Sequence, residues 1–184
     1  VRDDLRVLEG YHSPQVDVEV RLNTNEAPEP PPPEFARALA DATAEIDFHR
    51  YPDRSAGRLR AALARRYGRR PDEVFAANGS NEVLLHLLQA FGGPGRRVLS
   101  FAPTYSMYPE YARDTLTEWV VRPRRQDFGI DLDAAAAAIR EVAPAVVLLA
   151  SPNNPTGTAL TTVEVARLAR AGRGAGPGGS DVVV

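Results

Sequence analysis

The chain has 184 residues, 43% hydrophobic and 25% charged, which suits one globular domain with a real core and is too short for two large ones. A formal charge of −2 gives no overall basic field to hold nucleic acid or an anionic membrane, and the longest apolar run, Ala145 to Ala150, is far short of the ~20 residues of a spanning helix. The absence of cysteine excludes disulfides, zinc-thiolate sites and thiol nucleophiles together, and is most simply that of a protein of the reducing cytoplasm.

Residues 1–25 read as an arm, because polar and apolar residues alternate from Val16 to Leu22 with the period of a short strand. The stretch Pro28 to Pro33 cannot donate backbone hydrogen bonds and favours an extended linker, after which a helix is predicted from about Glu34. Beyond a break at Arg50-Tyr51-Pro52-Asp53, Leu59, Ala62, Leu63 and Tyr67 recur at helical spacing, and Gly68 stands where a helix stops. Arg58, Arg65, Arg66, Arg69 and Arg70 on or just past that helix read as a solvated basic face.

From Glu73 onward short apolar runs alternate with helical segments. Strands are predicted at 74–77, 97–101, 118–122, 146–150 and 182–184, and helices at 82–91, 105–114, 131–142 and 161–171. This alternation predicts an α/β fold, a mainly parallel sheet with helices on both faces and ligands beyond the carboxyl ends of the strands. The glycine-rich segment Gly172 to Gly179 leads from a helix into a strand, the reverse of a dinucleotide fingerprint.

Three loops therefore matter, those after Ala77, Phe101 and Ala150. The first, Asn78-Gly79-Ser80-Asn81-Glu82, turns into a helix whose exposed N–H groups suit a phosphate, or equally form a plain helix cap. The second, Ala102-Pro103-Thr104-Tyr105-Ser106-Met107-Tyr108, offers an aromatic face to a planar heterocycle, although Tyr105 and Tyr108 also suit packing of a helix on the sheet. The third, Ser151-Pro152-Asn153-Asn154-Pro155-Thr156-Gly157, is the most informative: its X-Pro steps fix the backbone so that an Asn amide projects toward the crevice, able to donate to a phenolate-like oxygen. His12, His49 and His86 lack metal-ligand spacing, and neither a hydrolase elbow nor a Walker lysine is present.

SPNNPTG, together with GSNE after one strand and PTYSMY after the next, resembles the large domain of the fold-type I, pyridoxal-phosphate-dependent aminotransferases of class I/II. Leu22-Asn23-Thr24-Asn25-Glu26 followed by Arg50-Tyr51-Pro52-Asp53 is similar to the histidinol-phosphate aminotransferases within them, and the likeness runs from about residue 5 to about residue 171. It implies pyridoxal 5′-phosphate as cofactor, with Ser80 and Asn81 on its phosphate, Tyr105 stacked on its ring and Asn154 bonded to its 3′-oxygen. It further implies that Tyr51 reaches the cofactor phosphate of a partner subunit in a homodimer, and that Asn25 and the arm around Tyr11 close over the substrate. The substrates so implied are histidinol phosphate and imidazole-acetol phosphate with glutamate and 2-oxoglutarate, in histidine biosynthesis. The resemblance divides the chain into an arm and linker (1–33), a helical lead-in at the junction of small and large domains (34–72) and an incomplete cofactor-binding large domain (73–184).

The sequence also departs from the family. Every one of its 22 basic residues is arginine, so no side chain supplies the Schiff-base lysine that holds the cofactor and shuttles the substrate proton. The family's Asp at the pyridine nitrogen would follow the strand that begins Val182-Val183-Val184, whereas Asp181 precedes it, at the wrong end of the sheet. The expectation is a truncated chain, inactive alone, whose last strand is an open apolar edge. The alternatives are another class I/II amino-acid aminotransferase, a related pyridoxal-phosphate decarboxylase, or a non-catalytic remnant.

Overall fold

The computed structural model describes residue 6, residues 16–20 and residues 26–184. Two compact units divide at residue 54. In the first, Val16 to Val20 are exposed and form no strand, because alternation gives a strand only where a neighbouring strand takes up the backbone N–H and C=O groups. Helix α1 (Pro33–Ala44) begins on proline, directly after Pro32 in an extended conformation (φ −53°, ψ 141°). Missing N–H groups cost nothing at a first helical turn, which is why the proline run ends where the helix starts. Phe35 and Leu39 on α1 are exposed.

The second unit begins with α2 (Gly57–Tyr67), which ends at Gly68 with φ +62°, a left-handed stop that glycine takes without a Cβ penalty. Its five arginines named above are exposed, as expected of a solvated face, and so are Leu59 and Tyr67. A 3₁₀ turn over Pro71–Glu73 follows. The segment 74–77 is a correction to the sequence reading: Val74 is extended (φ −115°, ψ 125°), but no described strand lies beside it and it joins no ladder. The Val74 carbonyl instead accepts from Arg60 Nε at 2.8 Å.

Helix α3 (Gly79–Phe91) leads to β1 (Arg97–Ala102), α4 (Tyr108–Asp114), β2 (Glu118–Pro123), α5 (Leu132–Val142), β3 (Val146–Val147) and α6 (Thr162–Ala171). The sheet order is β2-β1-β3, all parallel, and Val183 adds one parallel bridge outside Val146. Two expected strands are therefore shorter than the sequence suggested. The apolar run 146–150 pairs only briefly, since Val182 to Val184 offers a single bridge on its outer side and the chain turns away at Ser151-Pro152.

Alternation along the strands sends side chains to opposite faces. Val98, Val146 and Leu148 pack with Leu88 of α3 and Tyr111 and Ala112 of α4. Leu99, Phe101 and Val147 pack on the other face with Ile139 of α5 and Leu168 of α6. Helices thus cover both faces, as the alternating pattern predicts. The helix ends are made locally: the Asp131 carboxylate accepts from the N–H groups of Asp133 and Ala134, and Thr161 with Glu164 forms a capping box on α6. The glycine-rich segment is folded tightly, since a Cβ on Gly172 would lie 2.9 Å from Val182 Cβ.

Candidate functional site

Strands β1 and β3 are parallel neighbours, so the loops that follow them leave the same rim of the sheet. The peptide bonds before Pro103, Pro152 and Pro155 are cis. The remaining loop, after 74–77, arrives at α3. Gly79 has φ +77°, and no side chain caps the helix at Asn78. Ser80 and Asn81 lie exposed in the first turn, where unpaired N–H groups and the helix dipole favour an anion. The Glu82 carboxylate accepts from the Asn78 N–H, and that bond holds it below the usual carboxylate range.

Two hydrogen bonds join the three loops. The Tyr105 hydroxyl donates to Asn81 Oδ1 at 3.1 Å, tying the aromatic loop to the start of α3. Asn153 Nδ2 donates to the Pro103 carbonyl at 3.1 Å, tying the asparagine loop to the aromatic one. Tyr105, half-buried, meets Tyr108 edge-on with centroids 5.5 Å apart, and Tyr108 meets Trp119 at 6.5 Å. Tyr108 is buried and serves packing, whereas Tyr105 is only half-buried.

The adjacent asparagines differ completely. Asn153 is 3% exposed and is bonded to Pro103, to Thr156 Oγ1 at 2.8 Å and to Arg124 Nη2 at 2.9 Å. Asn154 is exposed, and its side chain makes no hydrogen bond with the described residues. The buried partner shapes the turn; the exposed one is left with a free amide.

Sequence reasoning missed Arg124, whose guanidinium reaches the ends of two of these loops. Nothing in the run Arg122-Pro123-Arg124-Arg125 distinguishes it from its exposed neighbour Arg125. Thr104, beside Tyr105, was also missed; its Oγ1 is buried without a partner among the described residues. Of the remaining expected residues, Tyr51 stands fully exposed in the first unit, and Tyr11 and Asn25 lie outside the described residues. Asp181 accepts from the Gly174 N–H at 2.9 Å and so belongs to the glycine-rich turn.

An uncapped helix start, a half-buried phenol fixed in place, a free amide and an orphaned buried hydroxyl fit a phosphorylated planar heterocycle carrying an oxygen substituent. The fit stops short of covalent attachment, because the sequence contains no lysine.

Residues 17–174 match the family model for aminotransferase class I and II. The chain belongs to the class I and II aminotransferases.

Among curated relatives of this aminotransferase chain, the histidinol-phosphate aminotransferase of Thermobifida fusca (strain YX) is 54% identical over 178 residues, covering 95% of this chain and 48% of the relative. That of Mycobacterium avium (strain 104) is 48% identical over 186 residues, covering 95% and 46%. The chain spans about half the length of the curated relatives it matches. Among solved structures, histidinol-phosphate aminotransferase from Sinorhizobium meliloti in complex with pyridoxal-5′-phosphate superposes with a TM-score of 0.71 at 25% identity, over 79% of this chain and 39% of that one. A structure from Erwinia carotovora atroseptica at 22% identity shares the fold, with a TM-score of 0.76 over 93% of this chain and 48% of that one.

Two electrostatic features mark the aromatic side of the candidate site. Burial pushes the Tyr111 phenol up to about 12, with Tyr105 adding to the shift, so it stays neutral at physiological pH. Burial also lowers the Arg124 guanidinium, which nevertheless remains charged because its ordinary value is so high.

Proposed function

We propose that this chain is the cofactor-binding part of a pyridoxal-phosphate-dependent aminotransferase that moves an amino group between histidinol phosphate and 2-oxoglutarate, yielding imidazole-acetol phosphate and glutamate. The observation that carries the reading is the joining of the three loops by the Tyr105–Asn81 and Asn153–Pro103 hydrogen bonds. Agreement at 54% identity with a relative named for this activity supports the substrate assignment.

Pyridoxal phosphate, when bound, supplies an electron-withdrawing ring that makes the proton on an amino-bearing carbon acidic. The residues of this chain have simpler tasks. Ser80, Asn81 and the N–H groups of the first α3 turn bind the phosphate at the positive end of the helix dipole. Tyr105 orients the ring by stacking, its own tilt fixed by Asn81. Asn154 donates its amide to the 3′-oxygen and stabilises negative charge there. Tyr51 serves the phosphate site of a partner subunit in a homodimer, and Asn25 and Tyr11 close over the substrate. The division at 1–33, 34–72 and 73–184 and a cytoplasmic location belong to the same proposal; no helix of the described residues is long and apolar enough to cross a membrane. By itself the chain is non-catalytic, because the proton shuttle requires an amine that arginine does not provide.

Joining this chain to the C-terminal half of the Thermobifida fusca relative tests the whole reading. The expected chimera is a dimer that uses histidinol phosphate and 2-oxoglutarate far better than ordinary amino acids. A chimera that handles both alike removes the histidine-pathway assignment and leaves the broader aminotransferase one. The cofactor assignment is tested on the chain alone by titrating pyridoxal phosphate and following its absorbance. Asn154→Ala and Tyr105→Ala should weaken that binding; if neither does, these loops are not the cofactor site.

A further inference from the structure

Arg124 differs from the chain's surface arginines in the company it keeps. Arg97, Arg122 and Arg125 pair with the carboxylates of Glu118, Glu141 and Asp127. Arg124 pairs with no carboxylate among the described residues. Its guanidinium is half-buried and spends its N–H groups on neutral oxygens of three separate segments. Nε donates to the Phe101 carbonyl at 3.0 Å and the Pro103 carbonyl at 3.1 Å. Nη1 donates to the Phe128 carbonyl at 3.0 Å, and Nη2 to Asn153 Oδ1 at 2.9 Å. Its backbone N–H donates to the Ala102 carbonyl at 2.8 Å.

Charge neutralisation cannot be the purpose of such an arrangement, since no acceptor is charged. A planar fork with fixed donor directions is what distinguishes Arg for this task, and it sets the relative position of whatever it bridges. The bridged groups are the end of β1, which carries Tyr105 three residues beyond Ala102, and Asn153, the residue before Asn154. The far side is braced too. Phe128 holds a left-handed backbone (φ 62°), and its carbonyl accepts from Thr158 Oγ1 at 3.1 Å as well as from Arg124. The asparagine turn closes on itself through Asn153 N–H to the Thr158 carbonyl and Gly157 N–H to the Asn153 carbonyl, both at 2.7 Å.

We propose that Arg124 is the positioning residue that couples the Tyr105 loop to the Asn154 loop, so that the stacking face and the 3′-oxygen donor are held as one rigid unit. This rests on the cofactor reading for its purpose, and on the hydrogen bonds alone for its geometry. The phosphate end at α3 lies outside the Arg124 contacts. Loss of Arg124 therefore separates the two ends of the cofactor: the ring loses its setting while the phosphate keeps its own.

Arg124→Met, which keeps the aliphatic stem and adds no amine, tests this on the whole chain, with Arg122→Met, whose guanidinium pairs with Glu141 away from these loops, as the control. Amide hydrogen exchange should accelerate about tenfold in both 104–108 and 153–158 in the first variant, with the amides of α5 and α6 unchanged, and in neither loop in the second. With pyridoxal phosphate added, the ring absorbance should return toward that of the free cofactor while the ³¹P shift of the bound phosphate persists. A structural defect without a positioning role would lose both signals in parallel, and that result overturns the proposal. So does acceleration in one loop only, or in neither. Failure of the unmutated chain to bind the cofactor refutes the cofactor reading instead, and the coupled exchange of the loops then decides the role of Arg124 by itself. Should Arg124→Met fail to fold by circular dichroism, Arg124→Gln, which keeps an amide donor, is measured with the same expectations.

Discussion

Adjacent residues of the same type rarely offer so sharp a contrast as Asn153 and Asn154. Replacing Asn153 by alanine removes a hydrogen bond from a charged donor, Arg124 Nη2 at 2.9 Å, and two neutral ones, to the Pro103 carbonyl at 3.1 Å and Thr156 Oγ1 at 2.8 Å. The charged bond contributes about 1.5–3 kcal/mol and each neutral one about 0.5–1.5 kcal/mol, which brackets a loss of about 2.5–6 kcal/mol. The lower half of that range is the better expectation, because Thr156 Oγ1 also bonds Thr158 Oγ1 at 2.9 Å and Arg124 keeps its other acceptors. Asn154→Ala removes an exposed side chain with no bond to the described residues, and such surface changes stay within about 0.5 kcal/mol. Urea unfolding followed by Trp119 fluorescence measures both, and pyridoxal-phosphate titration of the same samples measures binding. Asn153→Ala should lose stability, and Asn154→Ala should lose binding with its stability intact. If the two variants are equally stable, or if Asn154→Ala is the less stable, the assignment of the buried role to Asn153 is wrong.

The acid limb of stability should be set by helix-end and turn carboxylates. The N–H groups of Ala134 and Asp133 hold Asp131 below its ordinary 3.8, and the Thr161 N–H holds Glu164 below 4.5, so each contributes stability that is complete above its unfolded value and is lost as pH falls through the folded one. The urea midpoint should fall as pH drops below about those values, and Asp131→Asn, which keeps the cap but does not titrate, should shallow the fall. A Tyr111→Phe variant deletes a hydroxyl that is buried without a hydrogen bond among the described residues, so it should be as stable as the parent or more so; a loss above about 1 kcal/mol would show a partner for that oxygen. Gly172→Ala should destabilise by about 1–3 kcal/mol in thermal unfolding, because the new Cβ would meet Val182 Cβ at 2.9 Å; an unchanged midpoint would mean that the glycine-rich turn gives way freely. Borohydride reduction in the presence of pyridoxal phosphate should leave every internal residue unlabelled in peptide mapping, since the sequence contains no lysine, and an adduct anywhere but the N-terminus would contradict this.

What the sequence by itself determined was set by local rules. The α/β alternation from residue 79 onward is legible because helical and strand periods differ, and proline and glycine punctuate them at Pro33, Gly68 and Pro103. The SPNNPTG turn and the helix after Gly79 were readable for the same reason, since each needs particular residue types at consecutive positions. Strands were less legible, because a strand exists only through its neighbours. The 16–20 and 74–77 segments have the composition without a ladder among the described residues, and 146–150 pairs for two residues only because Val183 supplies one bridge beyond it. Only the tertiary structure decided which asparagine of the pair is buried, that Tyr105 reaches Asn81 from 24 residues away, and that Arg124 bridges the loops. Those assignments depend on which carbonyls the folded sheet brings within about 3 Å of a side chain, a distance that parallel crossovers set between segments remote in sequence.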